Sequence, residues 1–148
     1  MKYVRKELNG NHAWRTATLL LVGFAGPDED FLRRLFDDVE CSMAPGCRWV
    51  VQPQADVAST MRALRAEPLP VVLCDRDSMP EAWKEMLAES VHLPEPPSLI
   101  VTSRLADDRL WAEALNLGAY DVLARPFDRA EVVRTVNLAR LRWPPSRA

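Results

Sequence analysis

The sequence predicts an α/β protein, a doubly wound parallel sheet of five strands with helices on both faces. Three observations predict it. Short apolar runs rich in Val, Leu and Ile alternate five times with segments whose apolar residues recur at helical spacing. The runs are continuously apolar, as strands covered on both faces are. No internal repeat or low-complexity tract interrupts the alternation. A chain of 148 residues is about one domain, long enough to bury a single core.

Residues 1–15 read as a polar leader with Asn9-Gly10-Asn11 as a turn signal. Residues 17–24 form the first strand, closed by Gly26-Pro27. Asp28, Glu29 and Asp30 then open a helix, where carboxylates cap free N–H groups and suit the positive end of the dipole. Phe31, Leu32, Leu35, Phe36 and Val39 give that helix its period. Pro45-Gly46 breaks the chain before a shorter second strand at 48–52. Residues 55–67 follow as a helix with Val57, Met61 and Leu64 on one stripe.

The third strand lies in the run from Pro70 to Pro80, which is apolar up to Cys74 and then presents Asp75 to solvent. In open parallel sheets, sites are built at that carboxyl end. Pro80 sits near the first turn of a third helix with Trp83, Met86 and Leu87 inward. A proline-rich connection leads to the fourth strand, 98–102. The fourth helix, 107–117, carries Leu110, Trp111, Ala114 and Leu115, and Gly118 stands where a left-handed cap belongs. Residues 120–124 are the fifth strand. Asp128 caps the last helix, which turns Val132, Val133, Val136 and Leu141 inward.

Composition excludes several functions. A net charge of −2 argues against a nucleic-acid-binding domain, and Lys2, Arg5, Lys6, Arg134, Arg140, Arg142 and Arg147 read as solvated surface. No run reaches the roughly 18 apolar residues of a membrane span. The leader lacks the apolar core of a signal peptide, so a cytoplasmic protein is expected. Cys41, Cys47 and Cys74 are odd in number, without C-x-x-C spacing or a nearby His; the expectation is reduced thiols, with neither a disulfide framework nor a zinc site.

An Asp ends the third strand (Asp75), with Met79-Pro80 after it, and a hydroxyl ends the fourth (Thr102). Gly118-Ala119 precedes the fifth strand, which ends in Arg125-Pro126-Phe127. In these residues the chain resembles the receiver domain of two-component response regulators, the CheY-like family, over residues 17–141. The resemblance implies a flavodoxin-like strand order of 2-1-3-4-5 and a cis peptide before Pro126. It also implies an acceptor Asp that takes a phosphoryl group from a histidine kinase, aided by a hydroxyl, a cation and a divalent metal. Two acids at the end of the first strand, the acceptor Asp and a carbonyl two residues after it would hold that metal.

The sequence departs from this pattern where the metal would sit. Gly23 and Phe24 occupy the acidic pair's positions, leaving Asp75, Asp77 and Asp28 as substitute ligands. Asp28 and Asp30 are read as helix caps, and Asp77 as a turn former or cap for the third helix. Arg125 stands where the family has lysine, Val122 where it has an aromatic switch residue, and Pro80 lies one residue further from Asp75 than usual. Asp75 is therefore expected to pair with Arg125. Thr102 and Ser103 are either phosphate hydroxyls or routine strand ends. Trp83 and Trp111 are assigned to packing, and Trp14, Trp49 and Trp143 to partial exposure. Cys74 beside Asp75 should have a raised pKa.

The expectation is a stand-alone, degenerate receiver spanning 16–143, with a tail at 144–148 and no output domain. It is not an enzyme and needs no cofactor. It would act in bacterial two-component signalling through protein contacts, with a signalling protein such as a histidine kinase as partner. A homodimer through the fourth helix, fifth strand and fifth helix (107–140) is also expected. Nucleic acid and membrane are not expected as partners. The alternative is an active phosphoacceptor, with Asp75 phosphorylated, Thr102 and Arg125 stabilising the phosphoryl group, and Mg2+ required. A flavin or nucleotide binder of the same fold is disfavoured because no glycine-rich loop follows the first strand.

Overall fold

The continuous apolar runs become five parallel strands, and the stretches between them become five helices. The structure, a computed structural model, describes residues 15–41 and 46–143; the leader with its turn signal and Trp14, Pro45 of the predicted break, and the tail at 144–148 lie outside the described residues. In order the elements are β1 (Arg15–Val22), α1 (Gly26–Asp37), β2 (Cys47–Gln54), α2 (Val57–Ala66) and β3 (Val71–Asp75). Then come α3 (Ala82–Ser90), β4 (Ser98–Ser103), α4 (Asp108–Asn116), β5 (Asp121–Ala124) and α5 (Arg129–Leu141). The strand order is β2-β1-β3-β4-β5, as the resemblance implies.

Alternate residues of the central strands feed two cores. Leu20, Val22, Val72, Cys74 and Val101 face α2, α3 and α4, meeting Met61, Trp83, Met86 and Leu110. Leu19, Leu21, Leu73, Ile100 and Leu123 face α1 and α5, meeting Leu32, Phe36, Val132 and Val136. The sheet is thus sandwiched, which is why β3 has every residue buried.

Several local expectations are corrected. The first helix begins at Gly26, with Ala25 as an N-cap that makes no side-chain bond. Gly26-Pro27 therefore starts α1 and does not merely close β1, since proline fits the first turn of a helix. Asp28 is not its cap. β2 is as long as β1 and runs through Pro53; it pairs only with β1, so as an edge strand it tolerates a missing N–H. Trp49 is buried, meeting Phe36 edge-on at 5.5 Å. Trp111, Leu115 and Leu141 are exposed instead of packed, because α4 reaches the core only through Leu110 and Ala114, and α5 turns its last residue outward.

The thiol expectation is also corrected for two of the three cysteines. Cys41 and Cys47 form a disulfide with a Cα–Cα distance of 5.1 Å. The Cys41 N–H donates to the Cys47 carbonyl at 3.1 Å, which sets the two residues side by side. Cys74 is free and buried.

Candidate functional site

β3 lies between β1 and β4, and its last residue, Asp75, stands in register with Thr102 of β4. The two side chains meet: the Thr102 hydroxyl donates to Asp75 Oδ1 at 3.0 Å. The chain then turns sharply, and the Ser78 N–H donates to Asp75 Oδ2 at 3.1 Å, the local bond by which an Asp stabilises the turn after itself. Arg125, at the end of β5, brings a guanidinium nitrogen to Asp75 Oδ2 at 3.2 Å. Asp75 is not presented to solvent as its position at a strand end suggests. Its side chain is 3% exposed, because these three donors and the flanking loops close over it.

The same guanidinium gathers two further acids. Its other terminal nitrogen bonds the Asp28 carboxylate from the first turn of α1, and the nitrogen facing Asp75 also lies 3.2 Å from Asp77. Asp77 caps no helix: α3 opens on Glu81, without a side-chain cap bond. Its carboxylate instead accepts the Ser103 hydroxyl at 2.7 Å and the Arg104 N–H at 2.8 Å, tying the β3–α3 loop to the end of β4. Burial by itself would raise its pKa, but the bonds from Arg104, Ser103 and Arg125 outweigh that and hold Asp77 below the usual carboxylate range. Beneath the cluster, burial first and the Asp75 charge second push the Cys74 thiol up to about 12, so this thiol is inert.

Three carboxylates and one guanidinium therefore meet at the carboxyl end of the sheet. Asp75, Thr102 and Arg125, chosen from the sequence, do come together, and Asp28 and Asp77 join them through Arg125. The peptide bond before Pro126 is cis, as the resemblance implies. Ser103, a candidate hydroxyl, goes to Asp77 and not to Asp75, and Ser78 was not singled out as part of this constellation. A serine three residues after a strand-end Asp was the signal available for Ser78.

The donor set does not fit a divalent metal. Gly23 has φ +89°, and a Cβ there would lie 2.6 Å from Ser78 Oγ, whose hydroxyl donates to the Gly23 carbonyl at 2.6 Å. Phe24 packs on Phe127, with ring centroids 6.2 Å apart, and Phe31 stacks on the same ring at 6.0 Å. The positions at the end of β1 thus carry a blocked glycine and an aromatic plug, while the three nearby carboxylates are spread around Arg125. Among the described residues no three His, Cys, Asp or Glu side chains are grouped to hold a metal ion. None of the described helices is long and apolar enough to cross a membrane.

No protein-family model matches the sequence, and no curated protein matches it. Solved structures do match. The signal receiver domain of an HD domain-containing protein from Pseudomonas fluorescens Pf-5 superimposes with a TM-score of 0.67 at 18% identity, over 84% of this chain and 94% of that one. The receiver domain of the Francisella response regulator 1452 gives 0.65 at 19% identity, over 85% and 98%. A response regulator from Thermotoga maritima gives 0.63 at 17%, over 85% and 98%. At such identities it is the path of the chain that is shared. The fold of this protein is that of a response-regulator receiver domain.

Proposed function

We propose that this chain is a degenerate receiver in two-component signalling, working by protein–protein contact and not by taking up a phosphoryl group. One observation carries the reading. Arg125 is clasped by Asp28, Asp75 and Asp77, so a fixed side-chain cation fills the role that phosphoryl transfer gives to a metal. Asp75 cannot easily act as a nucleophile there. Both its oxygens already accept hydrogen bonds, and at 3% exposure it has no open face for an incoming phosphorus atom.

Contact surface is available on the opposite edge of the sheet from β2. Trp111 and Leu115 on α4, the helix that packs on β5, and Leu138 on α5 are exposed apolar side chains. This is the surface we assign to a signalling partner or a second copy of the chain. No catalytic turnover and no cofactor form part of the reading, and a cytoplasmic location is part of it.

A second reading, an active phosphoacceptor, is favoured by the meeting of Asp75, Thr102 and Arg125 at one point. One experiment separates the two: intact-mass spectrometry after acetyl phosphate with magnesium, with Asp75→Asn as control. The degenerate reading expects no mass gain. A gain of one phosphoryl group that Asp75→Asn abolishes would sink it and establish the alternative.

A further inference from the structure

Beside the acid cluster, between the start of α2 and the loop leading into α3, lies a shallow, open groove of about 560 Å3. Val57, Met79 and Pro80 are the larger apolar side chains of its lining, and Asp56, Ser78, Glu81 and Glu85 its polar members. Among the described residues no basic side chain lines it. Lys84 is close by, but its ammonium sits 2.9 Å from Glu113 on α4 and only 3.8 Å from Glu81. Asp56 stays ionised while capping α2, since the backbone N–H and then the hydroxyl of Ser59 lower its pKa.

An apolar trough edged by three carboxylates complements one kind of surface, an amphipathic segment with cationic side chains beside aliphatic ones. From this complementarity we infer that the groove docks a basic, amphipathic segment of a partner protein. Aliphatic side chains lie against Val57, Met79 and Pro80, and lysine or arginine reaches Glu81, Glu85 and Asp56. The groove also touches the site. Its wall is the loop in which the Ser78 N–H holds Asp75 Oδ2, the Met79 N–H donates to the Asp75 carbonyl at 3.2 Å, and the Ser78 hydroxyl holds the Gly23 carbonyl. A segment lying on Met79 and Pro80 thus presses on the loop that fixes Asp75. The inference goes beyond the preceding reading and does not depend on whether Asp75 is phosphorylated.

The test uses the whole chain and a labelled, end-blocked nonapeptide with lysine and leucine at helical spacing. Affinity is read by fluorescence anisotropy, and the site by amide chemical shifts. Saturable binding is expected, with shifts centred on Val57, Ser78, Met79 and Glu85. The double variant Glu81→Lys, Glu85→Lys should weaken it about tenfold, as loss of two attractions and gain of two repulsions requires. Glu67→Lys, an exposed acid at the far end of α2, should change it less than about twofold. Absence of binding would overturn the inference. So would shifts elsewhere, equal weakening by Glu67→Lys, or equal affinity for an all-lysine peptide, which would reduce the effect to net charge.

Discussion

Replacing Arg125 with methionine tests the central claim about the acid cluster. The change keeps most of the stem's volume and removes the guanidinium, leaving Asp75, Asp28 and Asp77 without their shared counter-charge. The three pairs are not equal. Asp28 and Asp77 are 35% and 27% exposed, so water screens them and each pair contributes at most about 1 kcal/mol. Asp75 is 3% exposed and Arg125 9%, which makes theirs a buried pair; removing one partner of such a pair costs about 3–5 kcal/mol. Thr102 and Ser78 still donate to Asp75 and keep the loss toward the lower end. Arg125→Met should therefore lose about 3–4 kcal/mol in urea unfolding, or about 10 °C in Tm for a domain of this size. A double-mutant cycle with Asp75→Asn should return a coupling of about 2 kcal/mol or more, since methionine costs little once position 75 is uncharged. A loss below about 1 kcal/mol, or a coupling near zero, would refute the reasoning and make the pair a surface contact.

Three further expectations follow from the same geometry. Gly23→Asp, which puts an acid back at the end of β1, should destabilise by about 1–3 kcal/mol through its φ of +89° and the clash with Ser78, and isothermal calorimetry should detect no magnesium binding; a stable, magnesium-binding variant would contradict the blocked site. Thiol titration under mildly alkaline conditions should find none reactive in the native protein and one after denaturation without reductant, because Cys74 is buried with a pKa of about 12 and Cys41 and Cys47 are bonded. Three thiols in denaturant would refute the disulfide. Asp77 has a depressed folded pKa, so its stabilisation is fully present above the ordinary value of 3.8 and is lost as pH falls through the lower folded value. The stability gap between wild type and Asp77→Asn should accordingly close on acidification below 3.8, and a gap unchanged there would count against the bonds drawn to Asp77.

The fold was legible because its signal is repeated. Each strand is a short apolar run and each helix a period of buried residues, and a one- or two-residue error at an end does not change the order of elements. The pairing of Asp75 with Arg125 was legible for a related reason: both lie at carboxyl ends of strands, which a parallel sheet places on one edge. What sequence could not supply was competition between partners. Asp28 has the position of a helix-start acid, and only the reach of the Arg125 side chain to the first turn of α1 shows where its carboxylate goes. Asp77 has turn chemistry, yet its bonds cross to β4, 26 and 27 residues along the chain. The disulfide was not legible because cysteine spacing argues about compartment and metal, whereas the bond depends on Cys41 and Cys47 coming within 5.1 Å in the fold.

The cluster also shows how residues at several separate positions belong together. Without Arg125, the carboxylates of Asp75, Asp77 and Asp28 would repel one another unrelieved. The resident cation relieves part of that. Arginine suits the place better than lysine, because its two terminal nitrogens can serve carboxylates on different sides at once: one takes Asp28 while the other takes Asp75 and Asp77. The one guanidinium offsets part of the charge of the three carboxylates, and the end of β1 adds no further acid to them. Gly23 is free to turn with positive φ and give its carbonyl to Ser78, and Phe24 is free to close against Phe127. Gly23, Phe24 and Arg125 thus belong to one arrangement, in which a side-chain cation offsets part of the charge of three carboxylates and the end of β1 closes over the turn after Asp75.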